Sequence, residues 1–171
     1  MDVHVFGYRV PNAVAIGVPG GLVAGVASWW WLCSRVPALR ALAGGVLLLV
    51  LTLIGTVTLS PSSSLAVQDG CRLTLDDSFL GAYTDEARHL NLLLFVPVGL
   101  LAVMALPRRL SWVAVAMALM IPVLIELAQT TSVVNRSCDA LDLVDNWSGG
   151  AVGLLIGLPL RSRTAKRSLP T

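Results

Sequence analysis

One carboxylate stands where a carboxylate is expensive. Glu126 lies inside an apolar run from about Leu110 to Gln129. At membrane depth an ionisable side chain marks a functional site, unless it serves to pair across a helix interface. Gln129 follows three residues later and shares its helical face. The chain then reads Arg136-Ser-Cys-Asp139-Ala-Leu-Asp142-Leu-Val-Asp145-Asn146-Trp-Ser-Gly149-Gly150. In a helix beginning at Asp139, the residues Asp139, Asp142, Asn146, Gly149 and Gly153 form one stripe. A solvated first turn, where the helix dipole favours negative charge, accounts for Asp139 and Asp145. It accounts less well for Asn146, which falls at the membrane boundary beside glycines. Upstream, Arg88 and Asn91 sit three apart on one face near the same boundary. These groups suit binding. Arg136 can hold a phosphate by charge-assisted hydrogen bonds, and the carboxylates can accept from sugar or amine groups or weakly hold a hard cation. His89 reads as an interfacial residue, because His4 is the only other histidine. No zinc, P-loop, nucleophile-elbow or dinucleotide pattern is present, so neither a metal nor a cofactor is expected.

Helices in lipid must position these residues. Of the 171 residues 56% are apolar and only 13% charged, too few charges to cover a soluble domain. A net charge of +2 gives no reason to expect nucleic acid. A bilayer core needs about 20 apolar residues per helix. Five stretches meet or approach that length, at about Pro11 to Leu32, Ala41 to Leu59, Leu90 to Leu106, Leu110 to Gln129 and Asn146 to Leu160. The third and fifth are short and should gain length at their N-terminal ends, capped by Thr84 or Asp85 and by Asp139. The expected fold is therefore an all-α bundle of about five transmembrane helices in the cell membrane.

Charge orients it. Arg35 and Arg40, Arg108 and Arg109, and Arg161, Arg163, Lys166 and Arg167 fall in three places that alternate onto one side. The positive-inside rule makes that side cytoplasmic, with the N-terminus outside and the C-terminus inside. Every acid except Glu126 then falls outside. Trp29, Trp30 and Trp31 read as an aromatic anchor at the inner boundary. Gly17, Gly21 and Gly25, and again Gly149, Gly153 and Gly157, are spaced by four, which suits close helix packing in lipid. Residues 1–83 make two helices and a loop, 84–160 a three-helix core, and 161–171 a basic cytoplasmic tail. Cys71 and Cys138 fall in loops on the oxidising side, where a disulfide between them is a candidate pairing.

Three motifs in order resemble the VanZ-like family: Asn91-Leu-Leu-Leu-Phe95-Val-Pro97-Val-Gly99, then Glu126-Leu-Ala-Gln129, then Arg136-x-x-Asp139-x-x-Asp142-x-x-x-Asn146-x-x-Gly149. They cover about Asp85 to Leu160, with the first two spans outside. Trp147-Ser148 departs from the small or hydroxyl residue more usual there. The resemblance implies a membrane protein whose family namesake is linked to teicoplanin resistance, without an established reaction.

The residues and the resemblance together point to an outward-facing polar pocket of Asn91, Glu126, Gln129, Arg136, Asp139, Asp142 and Asn146. Three classes of function suit it. The first is binding or remodelling of outer-leaflet lipids or lipid-linked cell-envelope glycans. The second is an enzyme on such lipids, with Glu126 or Asp142 as acid or base. The third is a proton-coupled transporter or flippase using Glu126. A second polar residue deeper in the same cavity would favour transport, and a pair of carboxylates facing it would favour catalysis.

Overall fold

A computed structural model of the protein describes residues 2–5, 8–59, 86–130 and 140–167. Five long helices account for nearly all of them. They are α1 (Asn12–Cys33), α2 (Ala38–Thr58), α3 (Glu86–Ala105), α4 (Ser111–Gln129) and α5 (Ala140–Arg167). A 3-10 turn, Arg108–Leu110, leads into α4. Four of the helices are long and apolar enough to cross a membrane, and α3 carries a shorter apolar stretch, His89–Ala105. The helical membrane bundle expected from the apolar runs is the fold observed. Its outer faces are apolar, with Val23, Trp30, Trp112, Leu127 and Leu155 among the exposed side chains, as a lipid solvent requires.

Two details differ from the expected boundaries. Asp2–Val5 (β1) and Tyr8–Pro11 (β2) pair antiparallel ahead of α1, with Val3 opposite Val10 and His4 opposite Arg9. Alternating β-branched residues favour this hairpin, which is too short to register as an apolar run. The last helix begins at Ala140 and continues well past Leu160 to Arg167. At 1.5 Å per residue its 28 residues exceed the roughly 30 Å hydrocarbon thickness. Its basic end is thus a helical extension of the span.

Glycine decides which helices approach most closely. A methyl on Gly149 or Gly153 would overlap the backbone carbonyls of Leu92 and Val96 on α3, and one on Gly99 would overlap the carbonyl of Gly150 on α5. Backbone lies directly on backbone along this α3–α5 seam, and the two helices make the most extensive contact in the bundle. Lipid supplies no hydrophobic drive between helices, so such dispersion contacts carry the association. The first glycine stripe works similarly, setting α1 on α2. Gly17 and Gly21 receive the side chains of Thr56 and Thr52, and Gly25 meets Gly45, whose carbonyl would lie 2.9 Å from a methyl there. Both threonine hydroxyls donate within α2, to Leu53 and Leu48 carbonyls at 2.9 and 2.8 Å. Their polar demand is met before they reach lipid. Helices α2, α3 and α4 enclose the core of Leu47, Ile54, Phe95, Val98, Ala102, Val103, Ala114 and Ile125.

These pairings give the bundle two distinct ends. The end of α1, the start of α2 and the end of α3 converge around Gly44, near Leu32 and Ala105. Arg35, Arg40, Arg108, Arg109 and Arg161 gather at this basic end. Arg35 lies over the Trp31 ring at 4.2 Å, a cation–π contact beside the exposed Trp30.

Candidate functional site

The opposite end carries the polar residues. In the first turns of α3 and α5, Asn91 Nδ2 donates to Asp142 Oδ1 at 2.8 Å. The bond places the two side chains on one seam, and Gly149 and Gly153, about two and three turns along α5 from Asp142, let the seam close. Asn146 lies one turn along α5 from Asp142. It is 4% exposed, and its side-chain carbonyl oxygen has no hydrogen-bond partner among the described residues. A buried acceptor left unsatisfied costs about 1–3 kcal/mol, so this oxygen calls for an explanation.

Helix α4 presents Glu126 and Gln129 inward, each 8% exposed. Glu126 therefore faces the bundle and not the acyl chains, as the expense of a carboxylate in lipid requires. Gln129 Nε2 donates to the Thr58 carbonyl at 3.1 Å. Thr58 ends α2, where carbonyls lack intrahelical partners. Gln129 thus closes the end of a helix from across the bundle.

Pro122 shapes the α4–α5 contact. Its ring removes the N–H that would reach the Ala118 carbonyl and loosens the ladder there. Gly150 packs against Ala118, and Trp147 Nε1 donates to the neighbouring Leu119 carbonyl at 2.8 Å. The large residue at 147 thus finds a partner that a small residue could not reach. Ser148 Oγ donates back to the Val144 carbonyl at 2.7 Å.

Two residues read as solvated are buried. Asp145 is 9% exposed, not open to water in a first turn. It precedes Gly149 by four, so the glycine spacing already places it on the packed face. Arg161 is 8% exposed, not part of a free tail. It follows Gly157 by four and so continues the stripe of Gly149, Gly153 and Gly157.

Arg136, Asp139 and both partners of the Cys71–Cys138 pairing lie outside the described residues, as do Thr84 and Asp85. Among the described residues no three His, Cys, Asp or Glu side chains gather as a metal site would need. The polar end holds amide and carboxylate groups on helices that packing fixes in place. Such groups can accept from hydroxyl or amine groups at a membrane boundary.

No curated protein and no solved structure matches the chain. A comparison with known protein families matches VanZ/LLP1 over residues 42–161, more than two thirds of the sequence. The match starts within α2, so the family region is wider than the three motifs and includes the second span. With Asn91, Glu126, Gln129, Asp142 and Asn146 of its motifs at the polar end of a helical membrane bundle, the chain belongs to the VanZ/LLP1 family.

Proposed function

We propose that this protein binds or remodels outer-leaflet lipids, or lipid-linked cell-envelope precursors, at its polar end. The observation that carries the reading is Asn146 Oδ1, a buried acceptor with no hydrogen-bond partner among the described residues. A ligand hydroxyl or amine donating to that oxygen would recover its desolvation cost. Beside it, the bond from Asn91 orients the Asp142 carboxylate. Glu126 and Gln129 line the neighbouring helix. In the proposed site Arg136 and Asp139, on the segment joining α4 to α5, complete the set, with Arg136 on a phosphate.

The distribution of arginine supports an outward-facing polar end. The basic end takes the cytoplasmic side by the positive-inside rule, with the N-terminus outside and the C-terminus inside the cell membrane. A lipid headgroup or a lipid-linked glycan of the outer leaflet then lies at the depth of Asn91, Asp142 and Asn146.

The link between the family's namesake and teicoplanin makes glycopeptide susceptibility the natural assay. In a host lacking its own copy, the parent should lower teicoplanin susceptibility. Glu126→Gln and Arg136→Ala should abolish that effect while insertion and folding persist. Two well-folded variants with the parent's full effect would show that the proposed site is wrong.

A further inference from the structure

The basic end contains a site that the family motifs do not reach. A cavity of about 330 Å³ opens between the α3–α4 connection and the end of α5, lined by Arg108, Ser111, Leu158, Arg161 and Ser162. Arg161 is buried and firmly placed. Its Nη1 donates to the Val103 carbonyl at 3.2 Å and to Ser111 Oγ at 3.1 Å. Ser111 Oγ donates in turn to the Arg108 carbonyl at 2.8 Å. This chain of bonds positions one guanidinium at the cavity wall beside a second, exposed one on Arg108.

Capping the last turn of α3 explains part of this arrangement, because the Val103 carbonyl belongs to a helix end with unpaired acceptors. It does not explain the rest. Arg40 and Arg108 both lie close enough to Arg161 to interact with it electrostatically. Three like charges gathered in this way repel one another. No acid lies in the first turn of α4, and the Arg108–Leu110 turn leads straight into it. Among the described residues every acid lies towards the other end: Asp2 in the hairpin, Glu86, Glu126, Asp142 and Asp145. An open cavity walled by two guanidinium groups is a receptor for an oxyanion, while the Ser111 and Ser162 hydroxyls that also line it donate to the Arg108 and Pro159 carbonyls. Planar guanidinium forks match phosphate.

We propose that this cavity binds a phosphate-bearing anion. The same chemistry is offered by an anionic phospholipid headgroup of the adjoining leaflet and by free phosphate. The purified full chain in detergent can be titrated separately with phosphatidylglycerol, with diacylglycerol and with inorganic phosphate. Binding is read by native mass spectrometry for the lipids and by melting temperature for phosphate. Phosphatidylglycerol should bind about tenfold or more tighter than diacylglycerol, the scale of one charge-assisted hydrogen bond.

Arg108→Gln should weaken binding of the phosphate compound by about tenfold, and Arg161→Lys, which keeps charge but loses the fork, should weaken it as well. Arg35→Gln, at the same end but over Trp31 and away from the cavity, should change it by no more than about twofold. If inorganic phosphate alone raises the melting temperature and competes with the lipid, free phosphate is the ligand. If only phosphatidylglycerol binds, the ligand is the headgroup. Equal binding of phosphatidylglycerol and diacylglycerol, or equal losses in Arg35→Gln and Arg108→Gln, would overturn the proposal, as would no binding of any phosphate compound.

Discussion

Asn91 Nδ2 and Asp142 Oδ1 meet at 2.8 Å across the α3–α5 seam, fifty-one residues apart in the chain. The bond joins two helices that are parallel and already in backbone contact below it. It is half-buried, and its acceptor is a carboxylate. Hydrogen bonds to charged groups contribute about 1.5–3 kcal/mol. A double-mutant cycle of Asn91→Ala and Asp142→Ala should therefore give a coupling energy of about 1–2 kcal/mol in detergent unfolding, the lower end reflecting partial exposure. Strictly additive losses would show that the two side chains do not act together.

Glycine positions offer a sharp contrast. A methyl at Gly153 would run into the Val96 carbonyl, which cannot move without shifting α3, whereas a methyl at Gly20 on α1 meets nothing within 4 Å. Gly153→Ala should destabilise the bundle by about 1–3 kcal/mol or more, the range for overpacking. Gly20→Ala should be neutral or stabilise by up to about 1 kcal/mol, through lost chain entropy. Unfolding in a fixed detergent compares the two, and equal effects would contradict the seam described above.

Orientation has a direct chemical readout. With Cys33, Cys71 and Cys138 replaced by serine, single cysteines at Ser62 and Ser168 should react with a membrane-impermeant maleimide from opposite sides. Ser62→Cys should label in intact cells and Ser168→Cys only after permeabilisation. Labelling of both from one side would exclude five spans with the N-terminus outside.

Much of the bundle was legible because each feature has a local signal. Apolar runs of bilayer length located the five helices, and a spacing of four marked both glycine seams. Glu126 declared its inward face through cost alone, since no carboxylate is left on lipid without reason. The remainder depended on partners distant in sequence. Nothing near Gln129 signals that its amide will close α2 at Thr58, because that pairing follows from how α2 and α4 pack. Nor does anything near Trp147 signal that its indole N–H will donate to the Leu119 carbonyl, because that pairing follows from how α4 and α5 pack. Asp145 and Arg161 show a different limit of local sequence signals. Charge near a helix end ordinarily means water, yet both lie in step with the glycines of α5, and that spacing was the available clue.

The central claim is that the polar end binds a lipid or lipid-linked precursor, and Asn146 tests it most directly. Replacing a buried, unsatisfied polar group with an apolar one of similar shape is nearly neutral or stabilising for the empty protein. Asn146→Leu should therefore keep the parent's melting temperature or raise it, while losing the bound ligand. The decisive measurement is native mass spectrometry of parent and Asn146→Leu, each purified from membranes of a host that makes cell-wall precursors. The account predicts a lipid or glycolipid adduct on the parent that falls about tenfold or more in the variant, the scale of one lost hydrogen bond in a dry site. An equal adduct on a stable Asn146→Leu protein, or a parent that carries none, would contradict it.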